Sequence, residues 1–154
     1  MPMHASEGEK IEVMAEERQP SALDAALGRV GDRWALLVVH ALLSGPGRFS
    51  DLLEQVPGIA PNILSQRLKM LEREGVVVAR PYSERPPRFS YELTATGAEL
   101  AGTLRLLAQW GAGQSEDADA LHHGACGTAV EARWYCPTCA RVIDDDEGGE
   151  LRFV

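Results

Sequence analysis

Pro61 to Glu74 constrain this chain more than any other stretch. Proline is well tolerated at the first helical position, and Gly75 directly after the stretch suits a helix C-terminus. Pro57-Gly58 just upstream stops whatever precedes. At about 100° per residue, Leu64, Leu68 and Leu71 fall within an arc of about 60°. Asn62, Gln66, Lys69 and Arg73 fall within a similar arc on the opposite side. The stretch is therefore predicted to bury a narrow leucine face. It presents two amides followed by two bases on the other, with Ser65 beside them.

The flanking segments fit around this helix. Ser21 and Asp24 resemble an N-cap and its early acid, opening a short helix with Leu23, Leu27 and Val30 at helical spacing and Gly31 at its end. Asp32 caps a second helix, to about Leu43, with an apolar stripe of Trp34, Leu37, Val38, Ala41 and Leu42. After Gly45-Pro46-Gly47, Ser50 is expected to cap a third helix, Asp51 to Val56. Two strands follow the Pro61 helix: Val76 to Arg80, and Arg88 to Leu93 with Phe89, Tyr91 and Leu93 on one face. Pro81 to Pro87 between them is expected to be a long tip stiffened by three prolines, not a tight hairpin. Thr94 caps a last long helix, to about Trp110. Leu100, Ala101, Leu104, Leu107 and Ala108 form one apolar side of it; Thr103, Leu106 and Trp110 form another. A helix apolar on two sides has two surfaces to satisfy.

This order predicts a mainly α fold with a small β-hairpin wing, a winged helix-turn-helix. The expected organisation is a flexible arm (1–20), a winged-helix domain (21–111), a linker (112–120) and a small β tail (121–154). No apolar run approaches the ~20 residues that cross a bilayer, and residues 1–20 lack the apolar core of a signal peptide. A cytoplasmic location without membrane partners is expected.

Charge distribution decides between partners where total charge does not. The net charge of -8 argues against a general nucleic-acid coat. Yet residues 1–20 carry -3 and residues 111–154 carry -6, whereas 21–110 carry +1. Within 60–90 there are six bases against three acids. A phosphate backbone responds to such a local excess. Asn62 and Gln66 can read adenine edges in a major groove, Ser65 can touch a base or phosphate, and Lys69 and Arg73 can reach phosphates. Arg80, Arg85 and Arg88 cluster on the wing with Tyr82. The stripe alone would also suit a solvated helix face; stripe and wing together point to double-stranded DNA.

Several short motifs in order are similar to the HxlR-type, MarR-like winged helix-turn-helix regulators. They are Gly31-Asp32-Arg33-Trp34, Arg48-Phe49-Ser50-Asp51-Leu52, Ile63 to Leu71, Pro86 to Thr94, and Gly97. The resemblance covers roughly residues 20–111. It implies a bacterial transcription regulator that binds DNA as a homodimer. Ala60-Pro61 departs from the family pattern, which has a hydroxyl cap before the proline. No cysteine lies in the N-terminal half, so the thiol sensing of some family members does not carry over to that site.

Dimerisation also has a physical rationale. A two-fold dimer sets two recognition helices about 34–36 Å apart on one face of the duplex. Leu106 and Trp110 on the spare face of the last helix, joined by Leu23 and Leu27, are the expected interface. A homodimeric repressor occupying an operator is expected. A signal such as a small-molecule effector would act by changing the spacing or tilt of the two helices.

The tail holds all three cysteines. His123-x2-Cys126 and Cys136-x2-Cys139 are separated by nine residues. Two-residue gaps let each pair curl onto one ion, and four N/S ligands suit structural tetrahedral Zn²⁺. Cys126-Gly127 and Cys136-Pro137 resemble zinc-ribbon knuckles, with Val130, Ala132 and Trp134 alternating in a strand between them and a final strand over 151–154. Ala140 stands where such knuckles have glycine. His123 is preferred over His122 because its spacing mirrors the other pair. A redox pair is the competing reading of Cys136 and Cys139.

The alternative reading of the whole chain is a winged-helix and zinc-ribbon protein-interaction module of the transcription machinery. An enzyme is not expected. No His/Asp/Glu set offers an open metal position, and no Ser-His-Asp or Cys-His arrangement is present.

Overall fold

Ser21 caps the first helix, α1 (Ala22–Val30), its hydroxyl accepting the Asp24 amide at 3.1 Å. Asp32 caps the second, α2 (Arg33–Leu42), accepting the Trp34 and Ala35 amides at 3.0 and 3.1 Å. Each cap satisfies amides that a helix start would otherwise leave orphaned. The computed structural model describes residues 20–114, 120–143 and 151. The arm expected over 1–20 (Pro20 apart), most of the linker, the acidic run at 144–149 and the strand expected over 151–154 (Leu151 apart) lie outside the described residues.

A two-residue strand, β1 (Gly47–Arg48), precedes the third helix, α3 (Phe49–Gln55). Ser50 is not its cap. The helix begins earlier, and the Asp51 carboxylate accepts the Arg48 amide at 2.9 Å. The cause is tertiary: Gly47 and Arg48 pair with Tyr91 and Ser90, which holds Arg48 extended until the helix turns out of the strand.

The fourth helix, α4 (Pro61–Arg73), buries Leu64, Leu68 and Leu71 to 1% exposure or less. They share one core with Ala35, Val38 and Val39 of α2 and Leu52 of α3. Burying each leucine contributes roughly 1.5–3 kcal/mol. Gly75 closes the helix with φ +69°, a conformation glycine adopts without a Cβ clash. Its amide donates to the Glu72 carbonyl at 3.0 Å, and the Val76 amide donates to that of Leu71 at 2.9 Å. Two orphan carbonyls are thereby satisfied while Val76 and Leu71 both enter the core.

Strands β2 (Val77–Glu84) and β3 (Pro87–Leu93) complete an antiparallel sheet of order β1-β3-β2. The wing corrects the sequence expectation. It is a hairpin paired out to Glu84 and Pro87 and closed by Arg85 and Pro86, whose peptide bond is cis. The prolines fit because they stand where no ladder amide is required. Pro81 lies on the edge strand, and Pro87 lies beyond the reach of β1. A register shift between Pro81 and Ser83 leaves Tyr82 bulged outward.

The last long helix, α5 (Ala95–Ala112), starts at Thr94, whose hydroxyl accepts the Gly97 amide and donates to the Gly75 carbonyl at 2.6 Å. Gly97 and Leu104 are buried and Leu100 half-buried. Leu107 was expected with them but is 51% exposed: beyond Leu104 the described tail residues face Arg105, Leu106 and Gln109 and leave Leu107 uncovered.

In the tail, β4 (Trp134–Cys136) pairs with β5 (Arg141–Ile143), and His122 forms an isolated bridge with Ala129. The strand expected through Val130 and Ala132 forms only from Trp134 onward, where a partner strand exists. No residue described between 120 and 143 is fully buried.

Candidate nucleic-acid interface

α3, the turn at Pro57-Gly58 and α4 form the helix-turn-helix. Gly58 takes φ +83° there, and Ile59 drops into the core to fix the turn. With three leucines inward, α4 presents Asn62, Gln66, Lys69 and Arg73 exposed on its opposite face, with Ser65 half-buried at its flank. The stripe read from the sequence is therefore physically available.

Arg67, which lies between these residues, is used differently. Its guanidinium donates to both Asp32 carboxylate oxygens, at 2.6 and 3.2 Å. Asp32 thus caps α2 and anchors α4 at once. Partial desolvation opposes its ionisation, but the Arg67 guanidinium and the Ala35 and Trp34 amides outweigh that and hold its carboxyl below the ordinary carboxylate range. At the far end of α4, Arg29 of α1 donates to the Glu74 carboxylate at 2.8 Å and to its carbonyl at 2.9 Å. The helix is held at its middle and at its C-terminal end by ion pairs that do not consume the stripe.

On the wing, Arg85 at the tip and Arg88 beside it are exposed and form no ion pair among the described residues. Arg80 is exposed too, but donates to the Glu92 carboxylate at 2.7 Å, which offsets its charge. The Arg48 guanidinium sits 4.7 Å from the Tyr82 ring centroid, bracing the wing against the start of α3. Arg48, Ser50, Tyr82 and Arg88 line an open hollow of about 330 Å³ between α3 and the wing. Arg48 and Ser50 were not singled out from the sequence as contact residues. Only the pairing of β1 with β3 brings them to the wing, and two residues of strand leave no readable period.

The candidate interface residues between subunits are all exposed: Leu23 64%, Leu27 52%, Leu106 39% and Trp110 67%. In the tail, His123 Nδ1 lies 3.3 Å from Cys126 Sγ, whereas His122 is engaged through its backbone bridge to Ala129. The Thr128 hydroxyl and amide beside Cys126 hold its thiol below the ordinary range, and the Cys139 amide and thiol do so for Cys136. Among the described residues, no three His, Cys, Asp or Glu side chains stand close enough together to hold one ion. Among them, too, no helix is long and apolar enough to cross a membrane.

A polar, partly basic helix face carried on a helix-turn-helix and flanked by a basic hairpin defines a winged helix-turn-helix DNA-binding protein. Residues 29–119 match the HxlR-like helix-turn-helix family, and the chain belongs to it. It is a DNA-binding transcriptional regulator. The HTH-type transcriptional regulator Rv3095 of Mycobacterium tuberculosis is 35% identical over 122 residues, covering 77% of each chain. YtcD of Bacillus subtilis is 33% identical over 99 residues, covering 64% of this chain and 79% of that protein. The crystal structure of YtcD superposes with a TM-score of 0.57 at 35% identity, covering 61% of this chain and 96% of that one. The reduced form of the redox regulator HypR gives a TM-score of 0.58 at 26% identity, covering 62% and 95%.

Proposed function

We propose that this regulator acts in the cytoplasm as a homodimeric repressor. Each α4 enters the major groove with Asn62 and Gln66 toward base edges. Lys69 and Arg73 reach phosphates, and Ser65 supports either contact. The wing follows the adjacent backbone or minor groove through Arg85 and Arg88, with Arg80 sharing its charge between Glu92 and the duplex. The hollow lined by Arg48 and Ser50 receives a phosphate where the strand passes between helix and wing. The observation that carries this reading is the division of labour on α4: the stripe is free while Arg67, its neighbour, is spent on Asp32.

Two copies join through α1 and α5. Leu23, Leu27, Leu106 and Trp110 are exposed apolar side chains on these two helices, and pairing would take them out of water. Pairing these faces sets the two α4 helices for successive major grooves. Repression then follows from occupancy of the operator.

Competition binding tests the proposal. Full-length protein is incubated with labelled genomic fragments and excess bulk DNA at moderate salt, and its mass is measured by light scattering. A subset of fragments retained by a species of twice the chain mass supports the reading. Equal competition by bulk DNA, or a monomer at binding concentration, overturns it.

A further inference from the structure

The tail contains two half-sites of like build that the DNA-binding reading leaves unused. In the first, the Cys126 and Gly127 amides both donate to the His123 carbonyl, at 3.2 and 2.8 Å, curling the turn so that the two side chains meet. In the second, Cys136 ends β4 and Cys139 lies on the turn before β5, so the hairpin places both thiols at one tip. The residue after the second ligand is in the left-handed region in both turns: Gly127 at φ +69° and Ala140 at φ 51°. Alanine rarely adopts this conformation, and its presence here repeats the geometry of the glycine turn. The 3.3 Å between His123 Nδ1 and Cys126 Sγ is close to the ~3.5 Å that separates two ligands of one tetrahedral zinc at ordinary bond lengths.

We propose that His123, Cys126, Cys136 and Cys139 together bind one Zn²⁺ per chain, and that the ion is what folds the tail. Among its described residues the segment buries none fully: Trp134 is 54% exposed and Tyr135 60%, and the regular structure there is a hairpin of three-residue strands. Such a hairpin is marginal in water, and so small a unit needs a metal or a cross-link to hold it. The pairs are separate half-sites in this structure, and residues 130–133 between the hairpins carry no regular structure. Drawing the pairs together therefore breaks no core. The ion takes two ligands from each hairpin, the three thiols release their protons to solvent, and His123 binds as neutral imidazole. Four protein ligands leave no place for water or substrate, so the site is structural.

The tail also has a seat. The Gln109 side-chain amide of α5 donates to the Val130 carbonyl at 3.1 Å, and Leu121, Val130 and Ala132 face Arg105 and Leu106 across a small hollow. Zinc would hold this seat in place.

The test uses full-length protein purified under reducing conditions, with metal content by elemental mass spectrometry and cobalt substitution read by absorption. One zinc per chain is expected, with cobalt giving intense tetrahedral bands and strong thiolate charge transfer. Cys136→Ser, Cys139→Ser and His123→Ala should each lose stoichiometric zinc, while the thermal transition of the helical core is retained. Zinc should slow amide exchange across 121–143. Binding below a tenth of an equivalent in excess zinc would overturn the proposal. So would weak octahedral cobalt bands, or a Cys136→Ser protein that binds as well as the parent. The cobalt spectrum is read on the parent chain, so the proposal remains falsifiable even if a variant fails to fold.

Discussion

The Arg67 guanidinium of α4 grips the Asp32 carboxylate at the head of α2, 2.6 Å away, with both side chains about a third exposed. The helix that carries the exposed polar stripe is thus fastened to the helix that supports it through a residue counted among the local bases. Asp32→Ala should destabilise the fold by about 1–2 kcal/mol in urea unfolding, from loss of the cap and of a partly exposed ion pair.

The same carboxylate has a pH signature. Its folded pKa lies below its ordinary value of 3.8. Its stabilising contribution is therefore complete above that value and is lost as pH falls through the lower folded one. The stability difference between the parent and Asp32→Asn should be flat above about pH 4 and shrink below it. A difference that grows on acidification would contradict the pairing.

Arg67 and Lys69 stand two positions apart and should behave in opposite ways. Lys69→Ala should reduce the slope of log affinity against log salt by about 1, as loss of one phosphate contact does. Arg67→Ala should leave the slope near that of the parent while lowering stability. Gln66→Ala should cost about 1–3 kcal/mol of discrimination between operator and bulk DNA, and relax the preference at one base pair. Fluorescence anisotropy over a salt series separates the three.

Gly97 marks the closest approach of α5 to the chain leaving α4. A Cβ there would lie inside van der Waals contact with the Val76 carbonyl oxygen and 3.3 Å from a Leu93 methyl. The obstacle is backbone already engaged by the Thr94 amide and hydroxyl, so it has little freedom to yield. Gly97→Ala should cost about 1–3 kcal/mol, although alanine is the better helix former. A thermal melt at or above the parent would refute this account.

Ala60 occupies the N-cap position of α4 with extended backbone (φ -76°, ψ 145°) and no side-chain acceptor. Ala60→Ser should add about 1 kcal/mol by accepting an amide of the first turn. Chemical denaturation checks it.

The helices were legible because their determinants are local. Ser21, Asp32 and Thr94 each cap the helix the sequence assigned to them, and Gly75 ends α4. The leucine period along α4 also determines which side is buried, so the exposure of Asn62, Gln66, Lys69 and Arg73 could be read directly. The pairing of His123 with Cys126 and of Cys136 with Cys139 is likewise a matter of spacing.

Other features depended on partners distant in sequence. Whether Ser50 caps α3 depends on Gly47 and Arg48 finding Tyr91 and Ser90, some forty residues on. The wing's length depended on which sheet edge its prolines occupy. Leu107 has the right period for the core, but burial also needs a surface that reaches it. Among the bases, sequence could assign charge but not employment. Arg67 and Arg80 are held by Asp32 and Glu92, whereas Arg85 and Arg88 form no ion pair among the described residues. Periodicity and capping act within one turn of helix, so the chain alone determines them. Pairing between distant residues exists only once the elements have packed, and the tertiary structure decided it.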